Sequence, residues 1–122
     1  MCKMLLSVNP EHVDNILSGV KQFEFRKVRC KRDVDSILIY ATSPVKLVVG
    51  EVEVLEVIED APESVWKLTS EFAGVSKSFF DQYYNKNDKA IAYRLGKVEK
   101  YLTPLQLSDL GISFAPQSFV YV

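Results

Sequence analysis

Apolar positions along this chain change period repeatedly, and each change marks a boundary between elements. Lys3 to Val8 is a short, mostly apolar run that predicts a strand. Asn9-Pro10 then opens a helix: an asparagine side chain can cap free amides, and a proline fits where no amide hydrogen is needed. Val13, Ile16, Leu17 and Val20 follow the i, i+3, i+4, i+7 spacing of one buried face. Gly19 supplies a left-handed residue at the helix end, with Val20 closing the cap. From Lys21 the period falls to two. Phe23 and Phe25 point one way, together with Lys21 by parity, while Gln22, Glu24 and Arg26 point the other.

Ser36 to Ala41 is apolar on both faces, which predicts a covered strand, and Thr42-Ser43-Pro44 is a turn signal. Leu47 to Glu59 reads as one long strand with a change of phase. Val52 and Val54 share one parity and Leu55 and Val57 the other, so a bulge or strong bend is expected between them. Ala61-Pro62-Glu63 opens a helical region in which Val65, Leu68 and Phe72 mark an apolar stripe ending near Gly74. Ser76 to Tyr84 predicts another short helix. Ala90 to Tyr101 returns to strand, with Ile91, Tyr93 and Leu95 on one side. Thr103-Pro104 and Leu105 to Gly111 predict a capped short helix, and Phe119 to Val122 a closing strand. This order gives an α+β fold: a curved, mostly antiparallel sheet of about five or six strands, helices gathered at its ends.

A length of 122 residues suits one core, so a single domain over 1–122 is expected. Its hydrophobic content of 48% and charged content of 25% are those of an ordinary soluble domain. No apolar run approaches membrane-spanning length, and no leader-like segment stands at the start, so a cytoplasmic protein without a membrane partner is expected. Cys2 and Cys30 form neither a disulfide framework nor a C-x-x-C motif and read as reduced thiols.

Charge changes the picture more than composition does. The net charge of -1 conceals a strip, residues 21–32, with six cations and one acid, leaving -6 for the other 110 residues. A uniformly basic polynucleotide binder is therefore excluded; a locally basic one is not. Within the strip, Ser18 to Arg26 combines a sharp helix-to-strand turn with Lys21, Glu24 and Arg26, the makeup of a small polar site. Lys27, Arg29, Lys31 and Arg32 form a basic loop that serves either solvation or attraction of a phosphate backbone. His12 is the only histidine and is expected to face solvent, with a ligand role as the lesser alternative. With no histidine cluster and no paired cysteines, a metal site has no support. Glu51, Glu53, Glu56 and Glu59 read as the wet side of a strand, and neither a phosphate-binding nor a dinucleotide loop is present, so no cofactor is expected.

These residues resemble the ASCH family, within the PUA-like superfamily of small pseudo-barrels. The family pattern G-x-K-x-x-E-x-R after the first helix is matched by Gly19, Lys21, Glu24 and Arg26. Tyr40-Ala41-Thr42-Ser43-Pro44, followed by the long strand Val48 to Val54, is similar to the family as well. The resemblance implies a PUA-like pseudo β-barrel with a cleft lined by the motif. It also implies RNA binding or recognition of a modified base, often tied to translation or transcription. Some members of the family are enzymes: one branch hydrolyses acetylated cytidine nucleosides, and another has ribonuclease activity. In the amidohydrolase branch a threonine stands three residues after the lysine, where this chain has Glu24.

The expected ligand is RNA or a nucleotide-like small molecule, bound by Lys21, Glu24 and Arg26 with Tyr40, Thr42, Ser43 and Lys46 as further contacts. Lys21 can hold a phosphate, or act as nucleophile or base if burial lowers its pKa. Glu24 can accept hydrogen bonds from a base edge or relay a proton, and Arg26 can hold phosphate. Against this stands a Glu24–Arg26 or Glu24–Lys21 ion pair that merely orders the barrel mouth. Ordinary packing is the stronger reading for Tyr40. Tyr83, Tyr84 and Tyr93 are either stacking platforms or core. Binding leads, hydrolysis of a modified nucleoside or of RNA is the alternative, and DNA binding through residues 62–84 ranks last.

Overall fold

The computed structural model describes residues 2–122. The strands are β1 (Lys3–Val8), β2 (Phe23–Arg26), β3 (Ser36–Ala41), β4 (Leu47–Asp60), β5 (Ala90–Leu105) and β6 (Phe119–Tyr121). The helices are α1 (Pro10–Leu17), α2 (Pro62–Thr69) and α3 (Lys77–Tyr83), with single 3-10 turns at Ser70–Phe72 and Leu107–Leu110. One sheet contains all six strands in the order β2-β5-β4-β3-β1-β6. Its pairings are antiparallel except β1 with β3, where α1, β2 and the basic loop make the crossover.

The phase change in the long strand has its expected consequence. β4 shifts register against β5 between Val48 and Gly50, between Val52 and Val54, and between Val54 and Glu56. Each shift adds local twist. The curled half-barrel that results lets β4 and β5 feed three clusters. Met4, Leu6, Val13, Ile16, Ile37, Val52 and Tyr93 belong to the first, beneath α1. The second puts Phe23, Phe25 and Ala92 against Val65, Ala73, Phe80 and Tyr84. Leu5, Leu38, Tyr40 and Val48 make the third, closed by Leu107 and Leu110 from the second 3-10 turn.

Four sequence expectations are corrected. Val20, expected on the buried face of α1, lies beyond its end and is 59% exposed. The buried stripe of the α2 region is Val65, Thr69 and Ala73, whereas Leu68 and Phe72 face outward. Thr69 tolerates burial because its hydroxyl donates to Val65 O at 2.8 Å. The short helix expected over Leu105 to Gly111 is reduced to one 3-10 turn, because β5 runs on to Leu105. The glutamates of β4 are not simply a wet face. Glu51 takes Lys3 at 3.0 Å, Ser36 at 2.9 Å and Tyr101 at 3.3 Å, while Glu56 pairs with Arg94 and Glu59 with Arg29 and Lys89.

Candidate ligand cleft

Lys21 is placed by two backbone devices. Gly19 sits at φ 85°, which turns the chain out of α1, and the Lys21 amide then donates back to Asn15 O at 2.9 Å. The segment Phe72–Gly74 crosses over the same residue. Gln22 N donates to Phe72 O at 2.9 Å, and Lys21 Nζ donates to Ala73 O at 2.9 Å. Gly74 has φ 71°, and a Cβ there would lie 2.5 Å from Lys21 Cβ, so only glycine lets this segment close over the lysine stem. Lys21 is consequently 3% exposed, its Nζ 4.6 Å from the centroid of the Phe25 ring. Burial pulls its ammonium below the ordinary lysine pKa; the Glu24 charge opposes that shift and the Arg26 charge adds to it.

Glu24 and Arg26 are next-but-one neighbours on β2 and share a face. Arg26 donates to Glu24 Oε2 through Nε at 3.1 Å and a terminal nitrogen at 2.8 Å, and the same nitrogen donates to Ser7 O at 2.9 Å. The ion pair thus ties the edge strand β2 to the end of β1. Among the described residues, Glu24 Oε1 has no hydrogen-bond donor.

These three charges line one cleft of about 190 Å³. Ser7, Val8, Asn9 and His12 form one side, where β1 runs into α1; Val75, Phe79, Phe80 and Tyr83 form the other. The Asn9 side chain caps α1 by accepting from the Glu11 amide at 3.2 Å. Phe79 and Tyr83 stack with ring planes 6° apart, and Lys27 Nζ lies 4.8 Å from the Tyr83 ring centroid. Burial raises the Tyr83 phenol above its ordinary pKa, against the Arg26 charge and with that of Glu24. The site therefore has an aromatic wall, an acceptor, and two cations with donors to spare.

Tyr40, Thr42, Ser43 and Lys46 do not line this cleft. Tyr40 is packed in the third cluster, and Thr42 to Lys46 form the turn from β3 to β4. Thr42 N does donate to Val8 O, so that turn lies one strand over from the cleft wall. Tyr84 and Tyr93 are core residues: Tyr84 donates to Arg26 O at 2.8 Å, and Tyr93 accepts from the Cys30 amide at 3.1 Å. In the basic loop, Lys27 reaches the cleft rim, Arg29 pairs with Glu59, and Arg32 stacks on Tyr121 at 4.3 Å. The amides of Lys31 and Arg32 both donate to the Tyr121 hydroxyl. His12 does not face solvent as expected: its ring is half-buried in the cleft, edge-on to Phe79 at 5.5 Å. From sequence, Asn9, Phe79 and Gly74 have the marks only of a cap, a helix residue and a helix end. The i, i+4 spacing of Phe79 and Tyr83 is a sequence signal from which the aromatic wall could be found. Lys77, the basic residue of α3, is held by Glu63 and Asp81, so this helix offers no basic reading face.

A family model described as the ASCH domain matches residues 6–102, which include the whole G-x-K-x-x-E-x-R segment. The chain belongs to the ASCH domain family. The crystal structure of ASCH from Zymomonas mobilis superposes with a TM-score of 0.89 at 27% identity, over 98% of this chain and 87% of that one. A Zymomonas mobilis protein named ASCH domain-containing ribonuclease is 28% identical over 116 residues, 92% of this ASCH domain's chain and 78% of that protein. A Ureaplasma parvum protein named large ribosomal subunit protein uL22 is 32% identical over 120 residues, 98% of this chain. The chain spans only 39% of that protein's length, and 15% of a second Ureaplasma relative named ATP synthase subunit alpha. Among the described residues of this ASCH domain, no cluster of His, Cys, Asp or Glu could hold a metal, and no helix is long and apolar enough to cross a membrane.

Proposed function

We propose that this ASCH domain is a cytoplasmic module that binds RNA, or a nucleotide-like fragment of it, with one base in the Lys21/Glu24/Arg26 cleft. The observation that carries this reading is the convergence of the three motif charges with the stacked pair Phe79–Tyr83 in about 190 Å³. A flat ring fits such a wall, and base stacking on an aromatic is worth about 1–3 kcal/mol. Arg26 and Lys21 supply cationic donors for a phosphate or carbonyl, and Glu24 Oε1 supplies an acceptor for a base amine. Lys27 extends the positive surface from the rim, which suits a short backbone contact rather than a long polynucleotide track. The relative named as a ribonuclease and the one named as a ribosomal protein support an RNA context and a role in translation or its regulation; nothing comparable favours DNA.

Hydrolysis is the second reading, and the burial of Lys21 favours it. An amine pulled below the usual lysine range has a larger neutral fraction near neutral pH, as a nucleophile or base requires, and Glu24 lines the same cleft as the candidate proton relay. The substrate would be an acylated nucleoside or RNA. Fluorescence anisotropy with a short single-stranded RNA, using wild type, Lys21→Met and Arg26→Ala, tests binding. Both variants are expected to lose at least tenfold in affinity, and unchanged affinity in both refutes the site. Turnover of the same RNA or of N-acetylcytidine by wild type and not by Lys21→Met would establish catalysis.

A further inference from the structure

His12 lines the cleft but lies outside the family motif, and its hydrogen bonding is incomplete. Its Nδ1 is buried and has no hydrogen-bond partner among the described residues. A neutral imidazole carries its one proton on either nitrogen. Placed on Nδ1, that proton would be a buried donor without an acceptor, the more costly of the two arrangements. In the neutral ring the proton therefore belongs on Nε2. That nitrogen is absent from the buried unsatisfied atoms and also has no protein acceptor, so it is the accessible edge of a ring that forms part of the cleft wall. The edge-to-face contact with Phe79, at 5.5 Å and 64°, fixes the plane of the imidazole.

We propose that His12 is a ligand-contacting, specificity-determining residue, donating from Nε2–H to an acceptor on the ring bound in the cleft. This rests on the reading of the cleft given above. With Glu24 Oε1 as an acceptor in the same cleft, His12 makes the site complementary to a ring bearing both a donor and an acceptor. That is the chemistry of a neutral nitrogen heterocycle of the nucleobase type. A purely anionic group such as inorganic phosphate would meet Arg26 and Lys21 but would make no use of Glu24.

Isothermal titration of wild type, His12→Phe and His12→Gln with adenosine, cytidine, guanosine and uridine tests this. For the nucleoside that wild type binds most tightly, His12→Phe is expected to weaken binding about three- to tenfold, the range of one hydrogen bond, and His12→Gln to recover part of the loss. Long-range 1H–15N spectra of the free protein are expected to show the Nε2-protonated tautomer, a readout independent of any variant's folding. Equal affinity of wild type and folded His12→Phe overturns the proposal, as does an Nδ1-protonated ring. If Arg26→Ala abolishes binding while His12→Phe leaves it unchanged, this inference fails and the cleft reading stands. If wild type binds none of the four nucleosides, this inference fails; retained binding of the single-stranded RNA by the basic loop and cleft would then leave only the broader reading.

Discussion

Lys21 is the residue on which the chemistry turns, because the fold buries an ammonium and gives it a single carbonyl, Ala73 O, and one ring, Phe25. Its folded-state pKa lies below the ordinary lysine value of 10.5. Between those two values the unfolded chain binds the proton more strongly than the folded one, so this group's contribution makes stability rise with pH. The burial penalty is fully present below the folded pKa and is relieved as pH climbs towards 10.5. Urea denaturation of wild type and Lys21→Met from pH 7 upward should therefore show wild type gaining on the variant, and a pH-independent difference would contradict the burial account. Arg26 has the opposite role, since it compensates a carboxylate. Its replacement by alanine leaves Glu24 7% exposed without its partner and should cost about 3 kcal/mol by the same denaturation measurement. The pairing of Glu24 with Arg26 was legible because a period-two segment sets both on one face; the same period set Lys21 on the other, and Lys21 joins them because it precedes β2, in the turn out of α1. The Ala73 acceptor lies 52 residues further on, and nothing local in the sequence announces that contact.

At the scale of elements, the cleft depends on a crossing segment and a short edge strand. β2 has only four residues and pairs with β5 alone, so its position relies on the Gln22 and Arg26 bonds to its neighbours. Gly74→Ala tests the crossing segment: a left-handed φ costs roughly 1 kcal/mol for alanine, and the close approach to Lys21 adds to it, so a loss of about 2 kcal/mol in thermal or urea unfolding is expected. Leu68→Ala, on the outward face of the same region, should stay within about 0.5 kcal/mol. The contrast shows what periodicity could and could not give. Eight-residue α2 has too few turns to distinguish a stripe at Val65 and Leu68 from one at Val65 and Thr69, and a buried threonine carries no apolar signal at all. By contrast, the fourteen residues of β4 were long enough for a phase change to be read as a bulge.

For the whole molecule, the charge strip that stood out in the sequence runs from the cleft rim to the far edge of the sheet. Lys27 lies over Tyr83 beside the cleft, and Arg32 is stacked on Tyr121 at the far edge of the sheet, where the Lys31 amide bonds the same tyrosine and the Lys31 side chain is exposed. If the basic loop meets RNA phosphates, the affinity should fall with salt, and Lys27→Ala with Lys31→Ala together should reduce the slope of log K against log salt by about 1.4. An unaltered slope would make the loop a solvated surface and leave the cleft to act alone. The α+β order and the motif's family were readable from the chain, but the assignment of Tyr40 and the following turn as ligand contacts depended on which strand ends meet. In the curled sheet β3 lies between β1 and β4, so its tyrosine turns into the third cluster rather than the cleft.

The central claim is that a nucleotide-like ligand occupies the space between β2, the start of α1 and α3, and a 1H–15N correlation titration with the four ribonucleoside 5′-monophosphates tests it most directly. Saturable shifts are expected at the amides of Asn9, His12, residues 21–26 and Phe79 to Tyr83, and their loss in Arg26→Ala. Shifts confined to residues 27–32, or none at any of these positions, would contradict it.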